Sequence, residues 1–559
     1  MSGWLEYNRG NKFITLRDFT GSCQVFINNE VNLPKIESVI TVKGTVHKRP
    51  DGNKNPAMET GEIEVVTSNV EVLNECERYH FPLNDYSKAK EDVRMRYRYF
   101  DIRSKMMQHN LRLRSSFLMK VRRFLCEEQG FVDVETPTLF RRTPGGAKEF
   151  IVPTANKGKF FSLPQSPQQF KQLLMVGGID RYMQIARCYR DENTKPERQP
   201  EFTQLDLELS FTTQGEIKQI IERMLKASWP KHLPDLMMPF PRMSYTNAML
   251  LYGSDKPDTR FDCTIKDITE ELSHLSVFDQ TTSPVVVKGI CIPNGSNVMS
   301  SKNVKRIQRA VEAITQLNIA TVTVKEDCSW KSPLTKYMGG NDLVYKVNCA
   351  FQCKPGDLLF ICGHIDWELA CKALGRCRIL SAKDFSAAGK PLYQPGVFNP
   401  LWVEEFPLFE LDEGSLVSAH HPFTAPVDED FDMLQSDPLK VRGQHYDLVL
   451  NGSEIGGGSI RIHSADTQKY VLESILKEDS SKMKHLLEAL ESGCPPHGGI
   501  ALGLDRLLAI MCGSDTIRDV IAFPKSSDGA DLMCEAPCHV TDDELDRYHI
   551  SITKDSSSH

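Results

Sequence analysis

The segment RDENTKPERQPEFTQLDLE, beginning at Arg190, sets an arginine and two acids before a polar loop and an alternating strand after it. A guanidinium matches phosphate oxygens in a planar, two-pronged geometry and a phenyl ring offers a plate to a base, so Arg190 and Phe202 could together hold a nucleotide. The flanking stretches read as a hairpin. YMQIARCYRDE, from Tyr182, is an apolar-rich strand that ends in charge, and from Pro200 the chain alternates Phe202, Gln204, Asp206 and Glu208 against Thr203, Leu205 and Leu207. The polar face must meet water, a ligand or buried partners, because an unpaired buried carboxylate is costly. A solvated amphipathic hairpin satisfies the same pattern, so this segment alone leaves both readings open.

Other clusters carry comparable chemistry. KGKFFSLPQSPQQFKQLLMVGG, from Lys157, reads as strand, turn and helix, with Ser166 as N-cap and Pro167 at the first helical position. Gln168 and Lys171 then lie on neighbouring turns, where an amide and an ammonium could face one anionic ligand or simply water. YDLVLNGSEIGGGSIRIH, from Tyr446, carries Asp447, Glu454, three glycines and Arg461. The acids are hard oxygen donors able to bind magnesium alongside phosphates, although two acids this far apart also fit plain solvation. The glycines allow close backbone approach to a ligand, and Arg461 can hold a carboxylate with two hydrogen bonds. In PPHGGIALGLDRLLAIM, from Pro495, the spacing of Ile500, Leu504, Leu507, Leu508 and Met511 predicts a buried helix after a glycine turn. Arg506 inside it needs a partner, either an acid in a structural ion pair or an anionic ligand.

Positioning these groups requires several domains, and 559 residues predict roughly three to four. Apolar and charged fractions of 40% and 25% are those of ordinary soluble proteins. A net charge of −7 leaves nucleic-acid contact to local basic clusters such as RMRYRYFDIR from Arg94. Sixteen cysteines are scattered without a CxxC pair or a histidine set, which reads as reduced structural thiols and no zinc. No apolar run approaches the ~20 residues that span a bilayer, so no membrane partner is expected. Residues 1–75 hold short alternating strands between Gly, Asn and Asp turns, which predicts a small barrel of the OB-fold type. A charged linker follows over 76–107, then an amphipathic helix from Leu111 to Glu128 stopped at Gly130. FVDVETPTL, from Phe131, is a strand that Pro137 confines to an edge or an interface. Residues 261–400 look like an α+β insert, and dense polar clusters resume over 401–559.

FVDVETPTL, RDE with RQPEFTQLD, and GLDR in an apolar helix resemble the three signature motifs of class II aminoacyl-tRNA synthetases. PQSPQQFKQLLM, GSDKPDTR, HHPFTAP, GGGSIRIH and IRDVIAFPK are similar to the bacterial-type aspartyl-tRNA synthetases, and TPGGAKEF is closer to their animal mitochondrial branch. The resemblance covers nearly the whole chain. It implies an α+β multidomain fold: an N-terminal OB-fold that reads an anticodon, a catalytic antiparallel sheet flanked by helices over 108–260 and 401–559, and the insert between them. It further implies activation of L-aspartate with ATP and Mg2+, aspartylation of tRNA(Asp), and a homodimer with Pro137 at the interface. Residue by residue, Arg190 matches the α-phosphate arginine, Glu192 the reader of the adenine amino group, Phe202 the stacking ring and Arg506 the γ-phosphate arginine. Asp191, Gln199, Gly503, Leu504 and Asp505 belong to the same ATP site, and Asp447 and Glu454 match the magnesium acids. Gln168, Gln169, Phe170, Lys171, His420 and Arg461 match the aspartate pocket, with Arg190 beside them and Ser166, Gln204 and Asp206 near the ammonium group. On the barrel, Phe13 matches a base-stacking ring, Gln24 an amide on a base edge and Arg9 a phosphate contact, although an inward core role fits Phe13 alone. Two departures stand out: Gly145 replaces a glutamate on a loop closing over aspartate, and the chain begins partway into the first barrel strand. No presequence is visible, yet the resemblance implies the mitochondrial matrix. Charging of tRNA(Asn) as well, a synthetase for asparagine or lysine, and an inactive tRNA-binding relative are the alternatives.

Overall fold

The computed structural model describes residues 1–83, 89–143, 147–278, 284–338 and 340–553. Within it the chain forms two units, Met1–Arg112 with Arg518–Cys538, and Leu113–Ile517 with His539–His559. In the first unit, β1 (Ser2–Arg9), β2 (Phe13–Asp18), β3 (Gly21–Ile27), β4 (Val39–Lys48) and β5 (Ile63–Asn74) close a barrel in the order β1-β2-β3-β5-β4. Alternation decides what fills it: Leu5, Ile14, Leu16, Val25, Ile27, Ile40 and Val42 turn inward and lose nearly all solvent contact. Their neighbours therefore stand outside.

Residues 518–538, read from the sequence as part of the catalytic core's last segment, pack with the first unit. Arg98 explains this. Its guanidinium, 2% exposed, donates to the carbonyls of Arg518 (2.6 Å), Ile521 (2.8 Å) and Ala522 (2.9 Å) and pairs with Asp101 at 2.5 Å. Arg94 bridges Asp101 and Asp519 at 3.1 and 2.8 Å. A desolvated guanidinium this fully partnered fixes the segment that supplies its acceptors.

The second unit contains β6 (Val132–Asp133), a hairpin of β7 (Ile151–Pro153) and β8 (Phe160–Ser162), β9 (Arg181–Tyr189), β10 (Glu201–Ser210) and β11 (Arg242–Ser244). The insert adds β12 (Ile265–Asp267), β13 (Val286–Ile292), β14 (Ala320–Val324), β15 (Trp330–Lys331) and β16 (Leu358–His364). The main sheet then resumes with β17 (Pro400–Glu404), a hairpin of β18 (Phe409–Asp412) and β19 (Ser415–Ser418), β20 (His445–Leu450), β21 (Ser453–Ile460) and β22 (His497–Gly503). Eight strands order as β11-β17-β20-β21-β22-β10-β9-β6, antiparallel except for the two end pairs. Helix Gln214–Ser228, opened by a Thr213/Glu216 capping box, buries Ile217, Ile221, Met224 and Leu225. Its Glu222 accepts from Trp402 Nε1 on β17 at 2.9 Å, which ties this helix to the sheet. The insert is a five-stranded sheet, β12-β13-β16-β14-β15. Its inner strands are apolar on both faces, since Ile290 and Phe360 join one core while Val287 and Leu359 join another.

Two elements differ from expectation. The strand before Pro137 shrinks to two exposed residues at the sheet edge, Val132 and Asp133. The helix predicted over 111–128 begins at Lys105 and ends at Arg122, with a π-helical turn over Arg123–Glu128 before Gly130 adopts φ +71°. Arg98→Leu, which strands Asp101 and three carbonyls, is expected to destabilise the first unit by about 3–5 kcal/mol. Urea denaturation reads this, and an unchanged midpoint would remove Arg98 as the organiser.

Candidate active site

The register of four strands builds the site. Asp206 on β10 lies opposite Ala501 on β22, Ala501 opposite Gly457 on β21, and Gly457 opposite Asp447 on β20. Directly opposed residues share a face, so this row places an acid at each end and two small residues between them. A cavity of about 410 Å³ opens over the row. The glycines serve packing as well as ligand approach. A Cβ on Gly457 would lie 2.6 Å from Asp447 Oδ1, and one on Gly458 would lie 2.2 Å from the Gly499 carbonyl.

At one end of the cavity lie Arg190, Glu192, Gln199, Phe202, Gly503, Asp505 and Arg506. The Arg190 guanidinium stands 5.1 Å from the Phe202 ring, and its Nε is buried without a hydrogen-bond partner. Arg506 donates to the Glu454 carbonyl at 2.5 Å, so it is held by backbone rather than by an acid. The neighbouring Asp505 carries the ion pair instead. It meets Arg114 at 2.5 Å and accepts from the Thr203 N–H at 2.8 Å, which locks the Leu504–Met511 helix to β10.

At the other end lie Ser166, Gln168, Lys171, Gln204, Asp206, His420 and Arg461, joined by His421 and His445. Lys171 and Arg461, both matched to the aspartate pocket, are paired within the protein. Lys171 Nζ lies 2.6 Å from Asp206 and 2.9 Å from Glu208. Arg461 meets both Glu208 oxygens through Nε and Nη2 (3.0 and 3.4 Å), while its Nη1 donates to Ser459 Oγ at 2.8 Å. Two buried cations without counterions would be too costly to fold. Lys171 still lines the cavity, and the remaining N–H donors of the Arg461 guanidinium are left for a ligand. Burial alone would raise the Glu208 carboxyl, but Arg461, Lys171 and His497 outweigh it and hold it down to about 2. Burial prevails at Asp206, which is raised despite Lys171. Its Oδ2 has no hydrogen-bond partner.

Asp447 and Glu454 line the same cavity. Burial and the Glu454 charge push the Asp447 carboxyl well up, and Lys256 lies 3.3 Å from Glu454. Two mutually repelling hard carboxylates fit a divalent cation. Among the described residues no group of three or more His, Cys, Asp or Glu is arranged to hold a metal. The pair therefore suits an ion that takes its other ligands from substrate and water.

Several expected residues lie elsewhere. Helix Gln168–Val176 turns about 100° per residue, so Gln168 and Lys171 face the cavity while their neighbours do not. Gln169 Oε1 meets His485 at 2.7 Å and Phe170 packs on Phe140, ring centroids 4.5 Å apart. Leu504 is core, and the Asp191 side chain is exposed while its N–H donates to the Lys148 carbonyl. Pro167, not Ser166, occupies the N-cap position. Gly145 lies outside the described residues. Pro137 lines a separate 220 Å³ crevice with Thr136, Pro164, Pro167 and Gln184. On the barrel, Phe13 is 41% exposed, with its ring 5.0 Å from that of Phe26, so the inward role is excluded. Arg9 pairs with Phe13 in register, and Gln24 donates to Glu64 at 2.7 Å.

Glu208, His421 and His445 are among the site residues that sequence reasoning did not assign. Glu208 had a signal in its place on the polar face of β10, and His421 in the HHPFTAP string. His421, half-buried beside Arg461, is lowered to about 3 by burial and by that cation, so it is neutral. Glu208→Gln leaves two buried cations short of an anion and is expected to destabilise the second unit by about 3 kcal/mol or more. Thermal or chemical unfolding checks this, and wild-type stability would show that the cations have other partners.

A sequence profile of class II tRNA synthetases (D, K and N) matches residues 90–527, and one of OB-fold nucleic acid binding domains matches residues 2–73. The chain is 48% identical over 571 residues to the mitochondrial aspartate–tRNA ligase of Mus musculus, covering 99% of this chain and 87% of that protein. It is 43% identical to an aspartate–tRNA(Asp/Asn) ligase of Opitutus terrae, covering 98% and 95% of the two chains. A solved asparaginyl-tRNA synthetase from Entamoeba histolytica shares the fold, with a TM-score of 0.57 at 17% identity over 94% of each chain. Profile and relatives alike span most of its length, and the chain belongs to the class II tRNA synthetases, in the family of the aspartate–tRNA ligases.

Proposed function

We propose that this enzyme joins L-aspartate to ATP as aspartyl adenylate and transfers the aspartyl group to the 3′ end of tRNA(Asp). The observation that carries this reading is a pair of buried polar atoms of opposite character in one cavity, Arg190 Nε and Asp206 Oδ2, each without a hydrogen-bond partner among the described residues. A cationic donor suits a phosphate, and an anionic acceptor suits an ammonium group. The α-carboxylate of aspartate attacks the α-phosphorus in line, and the bond to the departing pyrophosphate breaks. An ionised carboxylate needs no general base, so the residues act by positioning and by charge. Arg190 holds the α-phosphate and the Phe202 ring stacks on adenine, with Glu192 at its amino group and Gln199 alongside. Arg506, fixed by the Glu454 carbonyl, reaches the γ-phosphate. Magnesium held by Asp447 and Glu454 would offset phosphate charge. Ser166, Gln168 and Gln204 orient the amino acid around the Asp206–ammonium contact.

Side-chain selection rests on Arg461. Its free N–H donors match the second carboxylate of aspartate, whereas asparagine would turn an amide N–H₂ against them, and unpaired buried donors discriminate strongly. In the second step the terminal ribose hydroxyl of tRNA takes the acyl group and AMP leaves. The outer face of the barrel, with Arg9, Phe13 and Gln24, would read the anticodon by stacking and edge contacts. A homodimer through the Pro137 crevice is supported by exposed Val132 and Leu139 beside it. The mitochondrial matrix is supported by the names of relatives such as the mouse enzyme. The name of the Opitutus terrae relative motivates a second reading, in which tRNA(Asn) is charged as well.

Two variants separate the steps. Arg190→Ala is expected to lower aspartate-dependent pyrophosphate exchange at least about a hundredfold, whereas Phe13→Ala should leave exchange intact and raise KM for tRNA(Asp). Wild-type exchange in the first variant would remove Arg190 from the chemistry, and unchanged tRNA kinetics in the second would remove Phe13 from recognition. Charging purified tRNA(Asp) and tRNA(Asn) side by side decides between the two readings.

A further inference from the structure

We infer that His445 is a positioning residue that couples the two ends of the site, its Nε2–H fixing the Asp447 carboxylate and its ring face seating His420. The inference rests on the proposed function, because it concerns how that reaction's metal and amino-acid ends are held together.

His445 opens β20, is buried, and lines the cavity. Its Nε2 lies 2.8 Å from Asp447 Oδ1. Once Asp447 is ionised to bind a cation it can only accept, so the imidazole nitrogen must be the donor. That bond occupies one lone pair and leaves the rest of the carboxylate aimed into the cavity. A partner of this kind fixes the orientation of a metal-binding group without adding to the charge of the site.

The face of the same ring is also used. His420 stacks on it with centroids 3.5 Å apart and planes 9° apart. Phe406 meets both rings edge-on, at 4.7 Å from His420 and 4.8 Å from His445. His420 itself is exposed to the open cavity, so the stack and the Phe406 edge are what hold its ring. Ser459, paired with His445 across β20 and β21, receives the Arg461 hydrogen bond. One imidazole therefore touches the cation-binding acid through its edge and the amino-acid end through its face. A residue that only filled space would need neither the donor nor the parallel stack.

Edge and face can be removed separately. His445→Phe keeps a flat ring for His420 but has no donor, and His445→Gln keeps a donor but no ring. The probes are Mn2+ affinity of the protein with a non-hydrolysable ATP analogue, read by electron paramagnetic resonance without turnover, and KM for aspartate in pyrophosphate exchange. His445→Phe is expected to weaken Mn2+ binding about tenfold or more while KM for aspartate stays within about twofold. His445→Gln should raise KM for aspartate and retain Mn2+ affinity. Wild-type Mn2+ affinity in the Phe variant, or parallel shifts of both quantities in both variants, would overturn the inference. If His445→Phe fails to fold, the Gln variant decides alone, since loss of Mn2+ affinity there contradicts the edge contact. Absence of aspartate-dependent exchange in the wild type would overturn the proposed function, and the Mn2+ comparison would still stand.

Discussion

A single carboxylate, that of Glu208, makes the amino-acid end of the site possible. Lys171 and Arg461 are both buried, come from a helix and from just past the end of β21, and converge on it. Without it Arg461 would lose its buried counterion and Lys171 one of its two, at a large cost in desolvated charge. With it, their geometry is fixed before any ligand arrives, and Asp206 is left with one unpartnered oxygen. The pocket is thus nearly balanced in charge, and it recognises a ligand through leftover hydrogen-bond capacity rather than through bare charge. Preorganised donors of this kind lose little on binding because they have little left to reorganise.

Much of this was legible in the sequence because β-strands impose a period of two. The alternation Phe202, Gln204, Asp206, Glu208 put the polar face of β10 on record, and pairing with β22 and β21 then fixed which groups faced one another. Helical spacing likewise separated Gln168 and Lys171 from the residues between them. What periodicity could not give was partnership across the sheet. Glu208 was visible as a polar strand residue, but its role depends on Arg461, more than two hundred and fifty positions away. His445 shares a strand face with Asp447 two positions on, but its second role depends on His420 folding over it, which no local spacing shows.

Expectation failed where single residues were read without their neighbours. Ser166 has the chemistry of a cap, yet the helix starts after Pro167 and leaves that hydroxyl to the cavity. The glycines of β21 were read as room for a ligand, and the structure adds a packing reason, since a Cβ there would strike Asp447 or β22. Arg506 sits within an apolar helix, but the structural ion pair of that helix belongs to Asp505 and Arg114.

The grip of Arg98 on the carbonyls of residues 518–522 makes the first unit discontinuous in sequence. The whole of Leu113–Ile517 is spliced into it, and the sheet of β12–β16 is spliced into that second unit in turn. Domains generally fold as units, N-terminal first, during synthesis. Here the barrel's unit is the first to be started but cannot be completed until residues 113–517 have been made, because its closing segment follows them in the chain. Until then Arg98 has no carbonyls to close on, so its buried charge waits for a segment more than four hundred positions away.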